Sequence, residues 1–152
     1  MIKTLIIIAS LLVIFIAFNA FRLYRQNIKI PELGHNNGEL KALPSTPNAI
    51  SSQSDDPKKS VDPLKFKGDL NQSREALKVA VYNLGFVELI KEENNYLYFV
   101  FTTKGLKFKD DVEFYFDDTQ KVIHVRSSSR AGVSDMGVNL KRYQAIKELY
   151  NK

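Results

Sequence analysis

The residues best suited to chemistry lie together near the C-terminus, between positions 126 and 142. Two arginines enclose three consecutive serines there, and glycines and polar residues follow before a predicted helix. Backbone N–H groups in such a strand-to-helix turn can bind an anion, and arginine offers a planar fork that matches a carboxylate or phosphate. The segment therefore predicts a site for a small anion or for an acidic group of a protein partner. Its candidate ligand-binding residues are Arg126, Ser127, Ser128, Ser129, Arg130, Ser134, Asp135, Asn139 and Arg142.

A structural network without a ligand is the alternative for the same segment. Each arginine has acidic residues within reach, and the serines could close local turns. Ser134, Asp135 or Asn139 could cap the last helix. The acidic residues that would act as structural partners are Asp110, Asp111 and Glu113, with Asp135 as a further partner for Arg130 or Arg142.

Catalysis has less support in the sequence. A Ser–His–Asp set could be drawn from residues 127–129, His124 and Asp111, but no Gly-x-Ser-x-Gly turn is present to expose a nucleophile. The chain has no cysteine, which excludes thiolate chemistry and disulfides. The histidines and carboxylates lack metal-ligand spacing. The sequence therefore predicts no catalytic residue, no metal and no cofactor, with a hydrolase-type enzyme as the alternative.

The charge distribution argues against a nucleic-acid partner. The formal net charge is +5, from 22 basic and 17 acidic residues. Residues 1–30 hold Lys3, Arg22, Arg25 and Lys29 and no acid, which leaves 18 basic against 17 acidic residues in the rest of the chain. A protein that binds the phosphate backbone needs a clustered positive face. The near-neutral remainder predicts no such face.

An apolar segment begins the chain. Residues 4–21 contain no charge, and cations flank them on both sides. About 17–25 apolar residues span a bilayer, so residues 1–25 are predicted as a single-pass membrane anchor that contacts the membrane through residues 4–21. A cleaved signal peptide is the alternative, although cutting after Ala20 would place the bulky Phe18 at the −3 position. The flanking charges slightly favour a cytoplasmic domain.

The rest of the chain divides into a predicted linker and a predicted domain. Residues 26–69 hold all five prolines among serines and other polar residues, which is typical of a linker. Residues 70–152 show helical spacing, then aromatic and β-branched runs, then helical spacing again. This pattern predicts an α+β domain with an antiparallel four-stranded sheet and two flanking helices. The first helix is predicted over residues 71–84 and the strands over residues 86–91, 96–103, 112–117 and 122–128.

The register of the last predicted hairpin follows from its apolar faces. Residues on one face of paired strands must lie opposite each other, because a one-residue slip turns a strand over. This pairs Phe114 with Val125 and places Glu113 opposite Arg126 on the other face. An opposite-charge pair of this kind contributes about 0.2–1 kcal/mol.

Several motifs carry a family resemblance. Residues 110–114 and 122–130, the polar residues up to Arg142, and the upstream motif at 47–52 are similar to the DUF1499 family, whose function is uncharacterised. The resemblance covers about residues 45–150. In the upstream motif Ala49 replaces the cysteine of the family's Pro-Asn-Cys-Val-Ser-Ser. That motif adds three candidate structural partners, Asn48, Ser51 and Ser52.

The resemblance also bears on location, because members of the family often carry signal peptides or membrane anchors. It implies an exported domain on the extracytoplasmic, periplasmic side. The sequence as a whole predicts a membrane-anchored, non-catalytic interaction or small-anion-binding module of the cell envelope. The alternatives are the hydrolase-type enzyme and a structural envelope protein that binds lipid through an exposed sheet face.

Overall fold

Aromatic and β-branched runs form the four longest strands, and segments with helical spacing of apolar residues form the helices. A computed structural model describes residues 1–152. The helices are α1 (Ile2–Ile28), α2 (Leu70–Tyr82) and α3 (Val138–Asn151). The strands are β1 (His35–Asn36), β2 (Glu39–Leu40), β3 (Ala49–Ser51), β4 (Leu64–Lys65), β5 (Val87–Glu93), β6 (Tyr96–Thr102), β7 (Lys109–Asp117) and β8 (Val122–Ser129).

The main sheet is antiparallel and has six strands, in the order β3-β8-β7-β6-β5, with β4 pairing along the first part of β8. The α+β class is confirmed, but the predicted four-stranded sheet is wrong. The two additional strands, β3 and β4, lie within residues 26–69, whose prolines predict a linker. Strands of three and two residues are too short to show an alternating pattern in the sequence.

The predicted register of the β7–β8 hairpin is confirmed. Phe114 lies opposite Val125, and Glu113 lies opposite Arg126. Phe114 and Val125 are both fully buried in the core. Because a one-residue slip would expose them, burial of this face fixes which residues pair on the other face.

Helices α2 and α3 cover one face of the sheet, called here the helix face. Leu77 of α2 and Tyr143 of α3 belong to one buried cluster with Phe99 and Phe114 of the sheet. The rest of this cluster comes from β3, β4 and β8 as well as the central strands. The short strands β3 and β4 therefore contribute side chains to the hydrophobic core.

The second face of the sheet is covered by residues 33–40. Leu40 is buried in a small cluster with Tyr96, Tyr98 and Val100. Gly38 has a φ of +89°, and a Cβ atom there would lie 3.1 Å from the ring of Tyr115. The β1–β2 turn therefore approaches the sheet as closely as a glycine permits. A sheet face open to lipid, as one sequence-based alternative requires, is not present at these residues.

Helix α1 contacts the domain only through its last turn. It has no buried residue, and its apolar stretch has a mean hydropathy of 2.6, so it is long and apolar enough to cross a membrane. The Asn27 side chain donates to the Lys107 carbonyl at 3.0 Å and accepts from the Lys109 amide at 2.7 Å. These contacts attach α1 to the end of the sheet where β6 ends, β7 begins and β8 ends. This end is called the α1 end below.

Candidate functional site

The predicted candidate cluster is divided by the sheet into two groups. Successive side chains of a strand point to opposite faces, so Arg126 and Ser128 of β8 lie on the second face, whereas Ser127 and Ser129 lie on the helix face. Arg130, which directly follows β8, joins the first group through its contacts. The two groups have different surroundings and are described separately.

On the helix face, Asn139 is the centre of a closed network. Its side-chain amide donates to the Asn48 carbonyl and the Ser129 hydroxyl, both at 3.0 Å, and its oxygen accepts from Ser127. Arg142 also donates to that oxygen, at 2.9 Å. Asn139 and Ser127 are almost completely buried. The polar atoms of this group are used within the protein, which indicates a structural role.

The start of α3 is held by Asp135. Its carboxylate accepts from the backbone N–H of Gly137 at 3.1 Å, from the backbone N–H of Asn139 at 2.8 Å and from the Asn139 side chain at 2.8 Å. Gly137 adopts a φ of +78°, which lets the chain turn sharply into the helix. Ser134 accepts only from the local Met136 amide at 3.2 Å. Both residues therefore act on the turn itself.

The structure shows which predicted acidic partner two of the arginines bind. Arg142 bonds to Asp110 on the helix face, and Arg130 bonds to Asp111 on the second face. Asn48 completes the helix-face group, because its side-chain amide donates to the Gly132 carbonyl at 2.9 Å. Ser51 is also internal and donates to the Val125 carbonyl at 3.0 Å.

The second face carries two similar polar sets, each with a tyrosine, a carboxylate and an arginine. In the first, Tyr96 donates to Glu113 at 2.6 Å and Arg126 donates to Glu113 at 3.0 Å. In the second, Tyr98 and Arg130 both bond to Asp111. The two carboxylates come from β7 and their partners from β6 and the β8 side, so each set runs across the sheet.

Burial controls the ionisation of these sets. It raises the pKa of Glu113, although hydrogen bonding from Tyr96 and the charge of Arg126 oppose the shift. Burial and the Asp111 hydrogen bond raise the pKa of Tyr98, so its hydroxyl stays a donor. Burial lowers the pKa of Arg130, but Asp111 outweighs burial and the net shift is upward. In the second set, Tyr98 therefore keeps its proton and Arg130 keeps its charge.

A cleft of about 710 Å³ opens beside these sets, and we call it the β8 cleft. Asp111 and β8 form one side, and residues 29–32 and 41–44 form the other. Four cations and two carboxylates line it, namely Lys29, Lys41, Arg126, Arg130, Glu32 and Asp111. The sequence does not reveal this cleft, because one of its sides belongs to the predicted linker.

Three hydrogen-bond donors at the β8 cleft have no partner in the protein. Arg126 uses Nε on the Lys41 carbonyl and Nη1 on Glu113, which leaves Nη2. Arg130 uses Nε and Nη2 on Asp111 and Tyr98, which leaves Nη1. The Ser128 hydroxyl lies between the two arginines on the same face and also lines the cleft. Two alternate residues of β8 and the residue that follows the strand thus line one cavity with three free donors, which is an arrangement that can bind an anion.

The Ser–His–Asp set considered from the sequence is not assembled. Ser127 and Ser129 lie on the helix face, whereas His124 lies on the second face beside Tyr115. Ser128 shares the face of His124 but is four residues away along the strand, about 13 Å. The actual neighbour of His124 is Ser52, whose hydroxyl is 3.2 Å from Nδ1. Sequence analysis missed this contact because β3 was not predicted.

A family model for a protein of unknown function, DUF1499, matches residues 39–149. The chain belongs to the DUF1499 family. The matched region includes β2, both short strands of the main sheet and every predicted site residue, so the DUF1499 domain begins well before residue 70. No curated protein matches the chain.

Within the DUF1499 domain, the upstream motif at 47–52 forms β3 and pairs with the end of β8. Ala49 is buried and lies opposite Ser128, at the position where the family resemblance leads us to expect a cysteine. A thiol function at this position is therefore absent from this chain, whereas the hydroxyl and guanidinium donors of β8 remain.

Proposed function

We propose that this protein is a membrane-anchored, non-catalytic module that binds the carboxylate or phosphate group of a small ligand in the β8 cleft. The observation that carries the proposal is the set of three donors without protein partners, Arg126 Nη2, Ser128 Oγ and Arg130 Nη1, in one cleft. None of these three atoms is both fully buried and without a partner, so each is accessible from the open cleft. An anionic group in the cleft would accept from all three donors.

The two arginines are held in place before any ligand binds. Their side chains are only 7% and 5% exposed, and Glu113 and Asp111 fix the two guanidinium planes. Binding would therefore cost little side-chain entropy. Because each arginine is already neutralised by a carboxylate, Lys29 and Lys41 supply the excess positive charge that attracts an anion, and Glu32 offsets one of the two charges.

Binding of inorganic phosphate and of acetate to the full-length protein in phosphatidylcholine nanodiscs tests the proposal by calorimetry. Ser128→Ala removes one donor and leaves both ion pairs intact, so we expect about tenfold weaker binding, as for a lost bond to a charged group. Lys29→Glu should also weaken binding, while Lys152→Glu at the C-terminus is a matched charge control. Absence of binding by the parent protein would overturn the proposal, as would equal binding by all three variants.

We propose further that α1 remains attached as the anchor and that the domain lies on the extracytoplasmic side. The length and hydropathy of α1 and the bulky Phe18 at the −3 position of a cut after Ala20 favour attachment. The family resemblance favours export. Because the chain has no cysteine, Gln120→Cys provides one exposed thiol for labelling of intact cells by a membrane-impermeant maleimide. Labelling only after the membrane is permeabilised would contradict the proposed side. Full recovery of the protein in the soluble fraction would contradict the anchor.

A further inference from the structure

The two most exposed apolar side chains of the domain lie at the α1 end. After residue 30, the two most exposed large hydrophobic residues are Met136, at 88%, and Leu106, at 78%. Val133 and Phe86 are also exposed. Leu106 lies in the turn between β6 and β7, Val133 and Met136 lie between β8 and α3, and Phe86 lies just before β5. All four therefore project from loops at one end of the sheet.

Cations surround these side chains. Lys104 and Lys107 flank Leu106, and Lys141 is exposed on the first turns of α3. The Lys104 ammonium lies 4.9 Å from the centre of the Phe86 ring. The one acidic residue in the loop before α3, Asp135, is already bonded to the start of the helix. Apolar tips with lysines around them match the boundary between acyl chains and anionic headgroups.

The position of α1 identifies the surface that these loops face. Asn27 bonds to Lys107 and Lys109 and therefore fixes the height of the Leu106 turn relative to the helix. Asn27 follows the end of the uncharged run at Phe21 by six residues, or about 9 Å of helix. The headgroup region of one leaflet is about 5–8 Å deep. The Leu106 turn thus begins close to the outer limit of the headgroup region.

We propose that the α1 end of the domain docks on the surface of an anionic bilayer through Leu106, Val133, Met136 and Phe86, with Lys104, Lys107 and Lys141 on lipid headgroups. The proposal rests on the membrane anchoring proposed above and is independent of the β8 cleft. A flexible linker would let the domain stand away from the membrane. In the proposed arrangement the domain lies on the lipid surface with a fixed orientation.

Site-specific fluorescence in nanodiscs tests the docking. Leu106→Cys and Met136→Cys each provide one thiol for an environment-sensitive fluorophore, and Gln120→Cys in the β7–β8 turn marks the opposite end of the sheet. In discs that contain phosphatidylglycerol, we expect lipids with a spin label near the headgroup to quench the fluorophores at 106 and 136 several-fold more than the fluorophore at 120. Lys104→Glu combined with Lys107→Glu should reduce the quenching, as should discs of phosphatidylcholine alone.

Two outcomes would overturn the docking. The first is equal quenching at all three positions. The second is burial of the fluorophores at 106 and 136 only in discs that hold two protein copies, which would identify a second copy as the occupant of this surface. Failure of the anchor itself is distinguishable, because the protein would then elute apart from the discs. All substituted positions are exposed, and circular dichroism verifies that each variant is folded.

Discussion

The guanidinium group of Arg130 donates to both oxygens of Asp111, from Nε at 2.9 Å and from Nη2 at 2.7 Å. The Arg130 Nη2 atom also contacts the Tyr98 hydroxyl at 3.1 Å. Both side chains of the ion pair are about 95% buried. The pair therefore leaves Nη1 without a protein partner and compensates a buried carboxylate, so Arg130 has a structural role whether or not a ligand binds.

Arg130→Ala should destabilise the domain strongly, because it leaves the Asp111 carboxylate buried with only Tyr98 as a side-chain partner. Breaking a buried ion pair on one side costs about 3–5 kcal/mol. Urea unfolding in detergent, monitored by circular dichroism, measures the change. Lys147→Ala is the matched control, since its 3.7 Å contact with Asp62 is exposed to solvent and is worth at most about 1 kcal/mol. An Arg130→Ala protein as stable as the parent would show that the pair makes no net contribution to folding.

Asp135→Ala should lower the free energy of unfolding by about 1–3 kcal/mol, because three donors at the start of α3 lose their acceptor. Asp135→Asn keeps one oxygen and should lose less. Ser134→Ala controls for a change in the same turn and should have an effect within about 0.5 kcal/mol. Equal urea midpoints for Asp135→Ala and Ser134→Ala would refute the capping role.

Residues 30–44 should be needed for full stability, although their composition is typical of a linker. A fragment of residues 45–152 lacks the burial of Leu40 and the Gly34 N–H bond to Glu113 at 3.0 Å. We expect it to be less stable than a fragment of residues 30–152 by at least about 2 kcal/mol. Chemical unfolding of the two fragments gives the comparison. If their midpoints coincide, the cover on the second face does not stabilise the sheet.

His124 should make the domain less stable in mild acid. Burial lowers its pKa below the usual 6.5, so protonation favours the unfolded chain. Its contribution is present above about pH 6.5 and is lost as the pH falls through the folded-state pKa, with a slope of up to about 1.4 kcal/mol per pH unit. His124→Gln should remove this component.

The measurement for His124 is the difference in unfolding free energy between parent and variant at several pH values. The raised pKa of Glu113 acts with the opposite sign, but it is common to both proteins and cancels in the difference. Gln120→Ala, at an exposed position of the same hairpin, controls for the substitution. Parallel stability curves for parent and His124→Gln would contradict the assignment.

The sequence was sufficient to predict the β7–β8 pairing because two independent patterns agree there. Alternating apolar residues identify the buried face, and opposite charges then meet on the other face, as Glu113 and Arg126 do. The sequence left the partner of Arg130 open among Asp110, Asp111 and Asp135, and the structure pairs it with Asp111. For long strands, the alternation of apolar residues and the positions of charges are thus enough to predict the pairing register.

The β8 cleft and the division of the candidate residues were not predicted. The predicted strand over residues 122–128 already implies opposite faces for Ser127 and Ser128. The extension of β8 to Ser129 adds that residue to the helix face. The cleft depends on residues 29–44 returning over the sheet, and this return is fixed by single contacts such as the close approach of Gly38 to Tyr115. Two-residue strands with one glycine contact leave no periodic signal in a sequence.

The outer strands of the sheet also determine how copies held by the proposed anchor would meet. Confined to two dimensions, such copies collide often, and an open strand edge would let neighbouring sheets join into ribbons. Here one edge is divided between β3 and β4, which both pair with β8 and are too short to template another strand. The other edge, β5, is interrupted by an irregularity between Leu89 and Lys91 and carries charged side chains. If the proposed anchor holds, the domain can therefore be crowded on a membrane without polymerising through its sheet.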